Sequence, residues 1–123
     1  MNFQDAVKSG FKNWLNFSDR ASRSEFWYWF LFSLLLSISA GMVISILGLP
    51  GDDLLENLLL VVLFIPNLSI AVRRLHDIDK SGWWYLIIFI PLIGFFIWLY
   101  WACVQGTNGP NRFGADPLRF EIL

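Results

Sequence analysis

The chain has 123 residues, 56% of them hydrophobic and 15% charged, with a formal net charge of −1. That length allows one domain, residues 1–123, and the apolar fraction exceeds the roughly 45–50% usual for a soluble domain. No basic excess argues for nucleic acid, and one cysteine with one histidine excludes an internal disulfide and supplies no metal cluster.

Charge is confined to short stretches. No charged residue occurs from Phe26 to Gly51, from Asn57 to Val72, or from Ser81 to Asn111. Such runs separated by charged strips read as membrane helices and their connections.

Residues 2–17 read as an amphipathic helix. Phe3, Ala6, Val7, Gly10, Phe11, Trp14 and Leu15 recur at three- and four-residue spacing, with Lys8, Lys12 and Asn13 opposite. The stripe is expected at the headgroup level, with Phe11 and Trp14 toward the acyl chains. Gly10 weakens this helix by about 1 kcal/mol relative to alanine.

Ser22 and Glu25 stand at capping-box spacing, which makes Ser22 the N-cap of the first span, residues 25–48. Trp27, Tyr28 and Trp29 form an aromatic belt at its start. Ser33, Ser37, Gly41 and Ser45 make a face of small side chains suited to helix packing. Residues 49–53 are expected to form a tight, acidic turn. The second span covers 54–72, and Pro66 within it should release the Val62 carbonyl beside Asn67 and Ser69. The third span, 83–104, carries Trp83, Trp84 and Tyr85 at one end and Trp98, Tyr100 and Trp101 at the other. Its belts are about 27 Å apart along a continuous helix, with a kink expected at Pro91 and close packing at Gly94. The tail, 105–123, is dense in turn residues.

The expected fold is therefore all-α: an N-terminal amphipathic interfacial helix plus three transmembrane helices. Three crossings put the N-terminus and the 73–80 strip on one side with seven Lys/Arg, leaving two on the other. The positive-inside rule then predicts a cytoplasmic N-terminus and an external tail.

Several motifs together resemble one family. They are RASRSEFW at Arg20–Trp27, RRLHD at Arg73–Asp77, SGWW at Ser81–Trp84, IPLIG at Ile90–Gly94 and GPNRFGADP at Gly109–Pro117. In this order they are similar to the small bacterial inner-membrane proteins called domain of unknown function 805 (DUF805), the YhaH-like proteins. The resemblance spans nearly the whole chain and implies a multi-pass protein of the bacterial inner membrane. It implies no activity, substrate or cofactor. One departure is Asp79-Lys80, where the resemblance leads us to expect a glycine and a basic residue.

The concentrated chemistry is Arg73, Arg74, His76 and Asp77, with Arg20 and Arg23 at the head of the first span. If the second helix continues through the strip, Arg73 and Asp77 share a face and can pair. The remaining guanidinium groups suit a lipid phosphate. The four arginines are expected to converge into one cytoplasmic site, with charge left over for anionic lipid or a partner protein. The plain alternative is a set of flanking charges that fixes topology. His76 and Asp77 lack a third group that completes a triad, and no Asp, Glu, Lys or Arg lies in the membrane interior, Glu25 and Glu56 standing at the span edges. No catalytic, cofactor-binding or metal-binding set is therefore assigned. The sequence favours a non-enzymatic membrane module, with membrane lipid, a second copy or another membrane protein as candidate partners. A transporter or channel subunit with a path near Pro66, Asn67 and Pro91 is the alternative. An intramembrane enzyme using His76 and Asp77 is the second alternative.

Overall fold

The computed structural model describes residues 2–48 and 52–118. Among these the chain is helical, with an isolated bridge between Asn111 and Gly114. The expected turn at 49–53 falls largely outside the described residues.

Helix α1 is Phe3–Lys12, capped by Asn2, whose side chain accepts from the Asp5 amide at 2.8 Å. It is shorter than the predicted 2–17 because asparagines divert the backbone. Asn13 donates from its side chain to the Ser9 carbonyl, and Asn16 accepts from the Ser18 amide. Gly10 has a packing purpose. A Cβ there would come within 2.1 Å of the Trp29 ring, so only glycine lets α1 lie this close to the next helix. Phe11 meets Trp29 and Phe32 edge-on, with centroids 5.2 and 5.7 Å apart.

Helix α2, Arg23–Leu47, begins at Ser22, whose hydroxyl accepts from the Glu25 amide as expected. Gly48 ends it in the left-handed conformation that glycine favours, at φ 58°. Helix α3, Asp52–Asp77, runs through Pro66 and through the charged strip. At 25 and 26 residues, these helices reach about 38 Å, enough to cross a hydrocarbon core of about 30 Å. Both are long and apolar enough to be membrane spans. Their outer surfaces carry large exposed apolar residues such as Phe30, Ile46, Leu60 and Val61, which suits lipid and not water. The small-residue face turns toward α3 in part: Ser33 is buried and donates to Asn67, while Gly41 lies 3.9 Å from Glu56 through a built Cβ.

The third segment departs from expectation. Residues 83–104 do not form one continuous helix. Gly82–Phe89 is a 3₁₀ helix, and α4 is Ile93–Cys103. Between them the chain reverses. Pro91 favours extended backbone in its predecessor, and Ile90 has φ −86° and ψ 112°. Leu92 then takes φ 64° and ψ −61°, and the Ile93 amide donates to the Pro91 carbonyl at 2.7 Å, which closes a γ-turn. Trp84 therefore meets Trp101, and Tyr85 meets Trp98, with centroids 6.1 and 5.0 Å apart. The two aromatic belts, expected at opposite ends of a span, lie side by side. Each arm is about 16 Å long, roughly half a hydrocarbon thickness. Gly94 permits the reversal, since a Cβ there would stand 1.8 Å from the Ile87 carbonyl oxygen.

This hairpin returns the tail to the end of the molecule that holds α1 and the 73–80 strip. The tail contacts Arg20, His76 and Asp77 directly. The expected placement of the tail opposite the N-terminus is corrected accordingly. Ala21, Phe26, Trp29, Ile70 and Ala102 form the core at this end, with Trp27, Phe32 and Trp98 packed against it.

Candidate functional site

The last turn of α3 carries Arg73, Arg74, His76 and Asp77, all at least nine-tenths buried. A helix end leaves four carbonyls without intrahelical partners. Two of these, at His76 and Asp77, and the carbonyl of Arg73 just before them are met from other segments. The Ala21 amide donates to the Arg73 carbonyl at 2.9 Å, the Asn111 side chain to the His76 carbonyl at 2.9 Å, and the Thr107 amide to the Asp77 carbonyl at 2.7 Å. The α1–α2 connection and the tail are thus tied to one helix terminus.

Asp77 is the centre of the electrostatics. Arg20 approaches its Oδ1 with both Nε and Nη2 at 3.1 Å, and Arg74 Nη1 donates to Oδ2 at 2.6 Å. The same Arg20 donates to the tail carbonyls of Thr107 at 2.6 Å and Gly109 at 2.8 Å. Gly106 leaves room for this, because a Cβ there would stand 2.0 Å from Asp77 Oδ2. Arg74 also donates to the carbonyls of Ala102, at 3.4 Å, and Val104, at the C-terminal end of α4. Cations there complement the helix dipole. Trp27 donates to Ala102 and Arg23 to Cys103 at the same helix end.

Arg73 does not pair with Asp77 as its spacing suggested. It turns to α2 and meets Glu25 at 3.0 Å. Glu25 in turn accepts from the Ser9 hydroxyl of α1. Arg73 Nε and Nη2 are sealed without a hydrogen-bond partner among the described residues. Glu25 is thus part of the cluster, through a pairing with Arg73 that the sequence did not specify. The available signal was the position of Glu25 as the acid at the head of the first apolar span.

His76 lies beside the cluster but not in the carboxylate network. Its Nδ1 is 3.0 Å from the Asp19 carbonyl, and its ring stacks on Phe113 at 3.9 Å and 4°. It forms no hydrogen bond with Asp77 among the described residues. Arg20, Arg73, Arg74, His76 and Asp77 are therefore brought together. Arg23 stays exposed at the rim. Three buried guanidinium groups face two carboxylates, and their donors go mostly to backbone. The arrangement is a lock that fastens α1, α2, the hairpin and the tail to α3. Among the described residues no His, Cys, Asp and Glu set forms a metal centre.

A separate groove of about 450 Å³ lies between α2, α3 and the hairpin. Phe26, Leu63, Phe95 and Trp98 line it, with Ser33, Ser37 and Asn67 as polar groups. Asn67 accepts there from Trp29 Nε1 at 2.7 Å.

Two long apolar helices with lipid-compatible exteriors, fastened at one end by a buried ionic cluster, define a small multi-pass helical membrane protein. Residues 14–115 match the family described as Protein of unknown function (DUF805), and the chain belongs to that family. It is 42% identical over 106 residues to the inner membrane protein YhaI of Escherichia coli K12, covering 86% of this chain and 89% of that one. It is 38% identical over 109 residues to the inner membrane protein YhaH of the same organism, covering 86% and 90%. No solved structure matches. The chain is a protein of the bacterial inner membrane.

Proposed function

We propose that the protein is a non-enzymatic inner-membrane module with two crossings, α2 and α3, whose cytoplasmic face binds anionic lipid headgroups. In this reading α1 lies in the interface, the hairpin is re-entrant, and α1, the 73–80 strip and the tail share the cytoplasmic side. Charge supports the orientation. With the tail returned, every Lys and Arg of the described residues belongs to that end, while the opposite connection holds Asp52, Asp53 and Glu56.

The observation that carries the lipid reading is the surface of α1 and of the turn that follows it. Phe11, Trp14 and Leu15 are 54%, 48% and 58% exposed, beside exposed Lys8 and Lys12. An apolar stripe flanked by bases suits insertion among anionic headgroups. Arg20, Arg73 and Arg74, first assigned to lipid, are engaged inside the protein, so Lys8, Lys12 and Arg23 take that role. Each base near an anionic surface contributes about 1 kcal/mol. Lys8→Gln/Lys12→Gln should therefore reduce the preference for phosphatidylglycerol over phosphatidylethanolamine by about tenfold to thirtyfold in native mass spectrometry. Equal retention of the two lipids by the unmodified protein refutes the reading.

The groove beside Asn67 favours a second reading, a transporter or channel subunit. Solute flux in proteoliposomes that is lost on Asn67→Leu supports it over the first.

A further inference from the structure

A cleft of about 470 Å³ opens between the α1–α2 connection, the last turns of α3 and the start of the 3₁₀ helix. Its size falls within the range of about 300–1,000 Å³ common for small-molecule sites. Phe17, Val72, His76, Ser81, Trp83 and Leu86 line it. Phe17, Trp83 and Leu86 are exposed large apolar residues, so the mouth faces lipid in a membrane-embedded protein. His76 and Ser81 line the cleft where the apolar run of α3 gives way to the charged strip.

The imidazole is held in one orientation. Phe113 covers one face at 3.9 Å, and Nδ1 meets the Asp19 carbonyl at 3.0 Å. A carbonyl only accepts, so Nδ1 carries a proton, and Nε2 of the neutral ring presents a lone pair. Among the described residues Nε2 has no hydrogen bond. Among the described residues only Arg73 has sealed side-chain polar atoms without a partner, so Nε2 is open to its surroundings. A group that satisfies it must donate, which selects against carbonyls and fully esterified phosphates.

We propose that this cleft binds a membrane amphiphile whose head group donates a hydroxyl to His76 Nε2, with its tail leaving past Leu86 into the bilayer. The proposal rests on the membrane reading but not on the cationic surface of α1. Two lipid classes supply this chemistry, a glycerol head group and a quinol. Each has a matched partner without the donor: phosphatidylmethanol for phosphatidylglycerol, and the oxidised quinone for the quinol.

The test is binding of these four probes to the purified full chain in detergent, by quenching of tryptophan fluorescence for the quinone pair and native mass spectrometry for the lipid pair. In one pair the hydroxyl member should bind about fivefold more tightly, the ratio that one net hydrogen bond supports. The pair that shows it identifies the source. His76→Asn keeps a donor near the Nδ1 position and removes the acceptor, so the preference should collapse to about one. His76→Gln restores an acceptor near Nε2 and should recover part of the preference. Leu86→Trp fills the cleft without touching His76 and should weaken both members of the pair. The proposal is overturned if neither pair shows a preference, if His76→Asn leaves it intact, or if Leu86→Trp changes nothing. The lipid-surface reading fails separately, through Lys8 and Lys12, because phosphatidylglycerol and phosphatidylmethanol carry the same charge.

Discussion

Arg20→Gln tests the lock most sharply. The substitution removes a guanidinium that spans Asp77 and the carbonyls of Thr107 and Gly109. Breaking a buried ion pair by deleting one partner costs about 3–5 kcal/mol. The glutamine amide recovers about one hydrogen bond, worth about 1 kcal/mol, which leaves a loss of roughly 2–4 kcal/mol. Asp77 retains Arg74, so the loss falls mainly on the tail and not on the end of α3. Trypsin cleavage after Arg112 reads this directly, because the tail must open before it is cut. When reclosing is fast, the cleavage rate follows the open population, so it should rise by about 30-fold to 1,000-fold. Arg23→Gln is the control. It removes one exposed bond to the Cys103 carbonyl and should change the rate by less than about fivefold. A rate for Arg20→Gln within threefold of the unmodified protein, at unchanged melting temperature, refutes the reasoning.

Three further outcomes follow from close approaches and backbone. Gly94→Ala should destabilise the hairpin and lower the melting temperature, because its Cβ meets a backbone oxygen that cannot rotate away. Gly10→Ala gains about 1 kcal/mol of helix propensity yet should lose about 1–3 kcal/mol to overpacking against the buried Trp29 ring, seen as a net loss of thermal stability and a shift in tryptophan emission. Asp79 sits at φ 61°, so Asp79→Gly relieves left-handed strain while removing an exposed pair with Arg112. These effects are each about 1 kcal/mol and opposed, and the melting temperature should move by no more than a few degrees.

The first two spans were legible because each signal had one reading. Ser22 before Glu25 gave the start of α2, and the charge-free runs gave its length and the apolar part of α3, which continues through the charged strip to Asp77. The hairpin was not legible for a physical reason. A run of twenty-odd apolar residues with aromatics at both ends satisfies one full crossing or two half-crossings equally well. Pro91 permits a kink or a reversal, and only the Leu92 backbone and the close approach at Gly94 distinguish them. The charge count held a usable signal: a reversal places all bases at one end, where a crossing divides them seven to two. For the site, convergence of Arg20 with Arg73 and Arg74 followed from topology, but their burial did not. The tail carbonyls that absorb the guanidinium donors are backbone atoms with no residue-type signature. The pairing of Arg73 with Glu25 followed from the packing of α2 on α3, which four-residue spacing within α3 does not report.

The side of the tail is the most direct measurement of the whole account. A dual reporter fused after Leu123, with one moiety active only in the cytoplasm and one only outside it, should give the cytoplasmic signal, as should a fusion at the N-terminus. An insertion of the same reporter in the 49–53 connection should give the external signal. An external signal at Leu123 with a cytoplasmic N-terminus means that 83–104 crosses fully, and contradicts the two-crossing fold, the returned tail and the lock built on it.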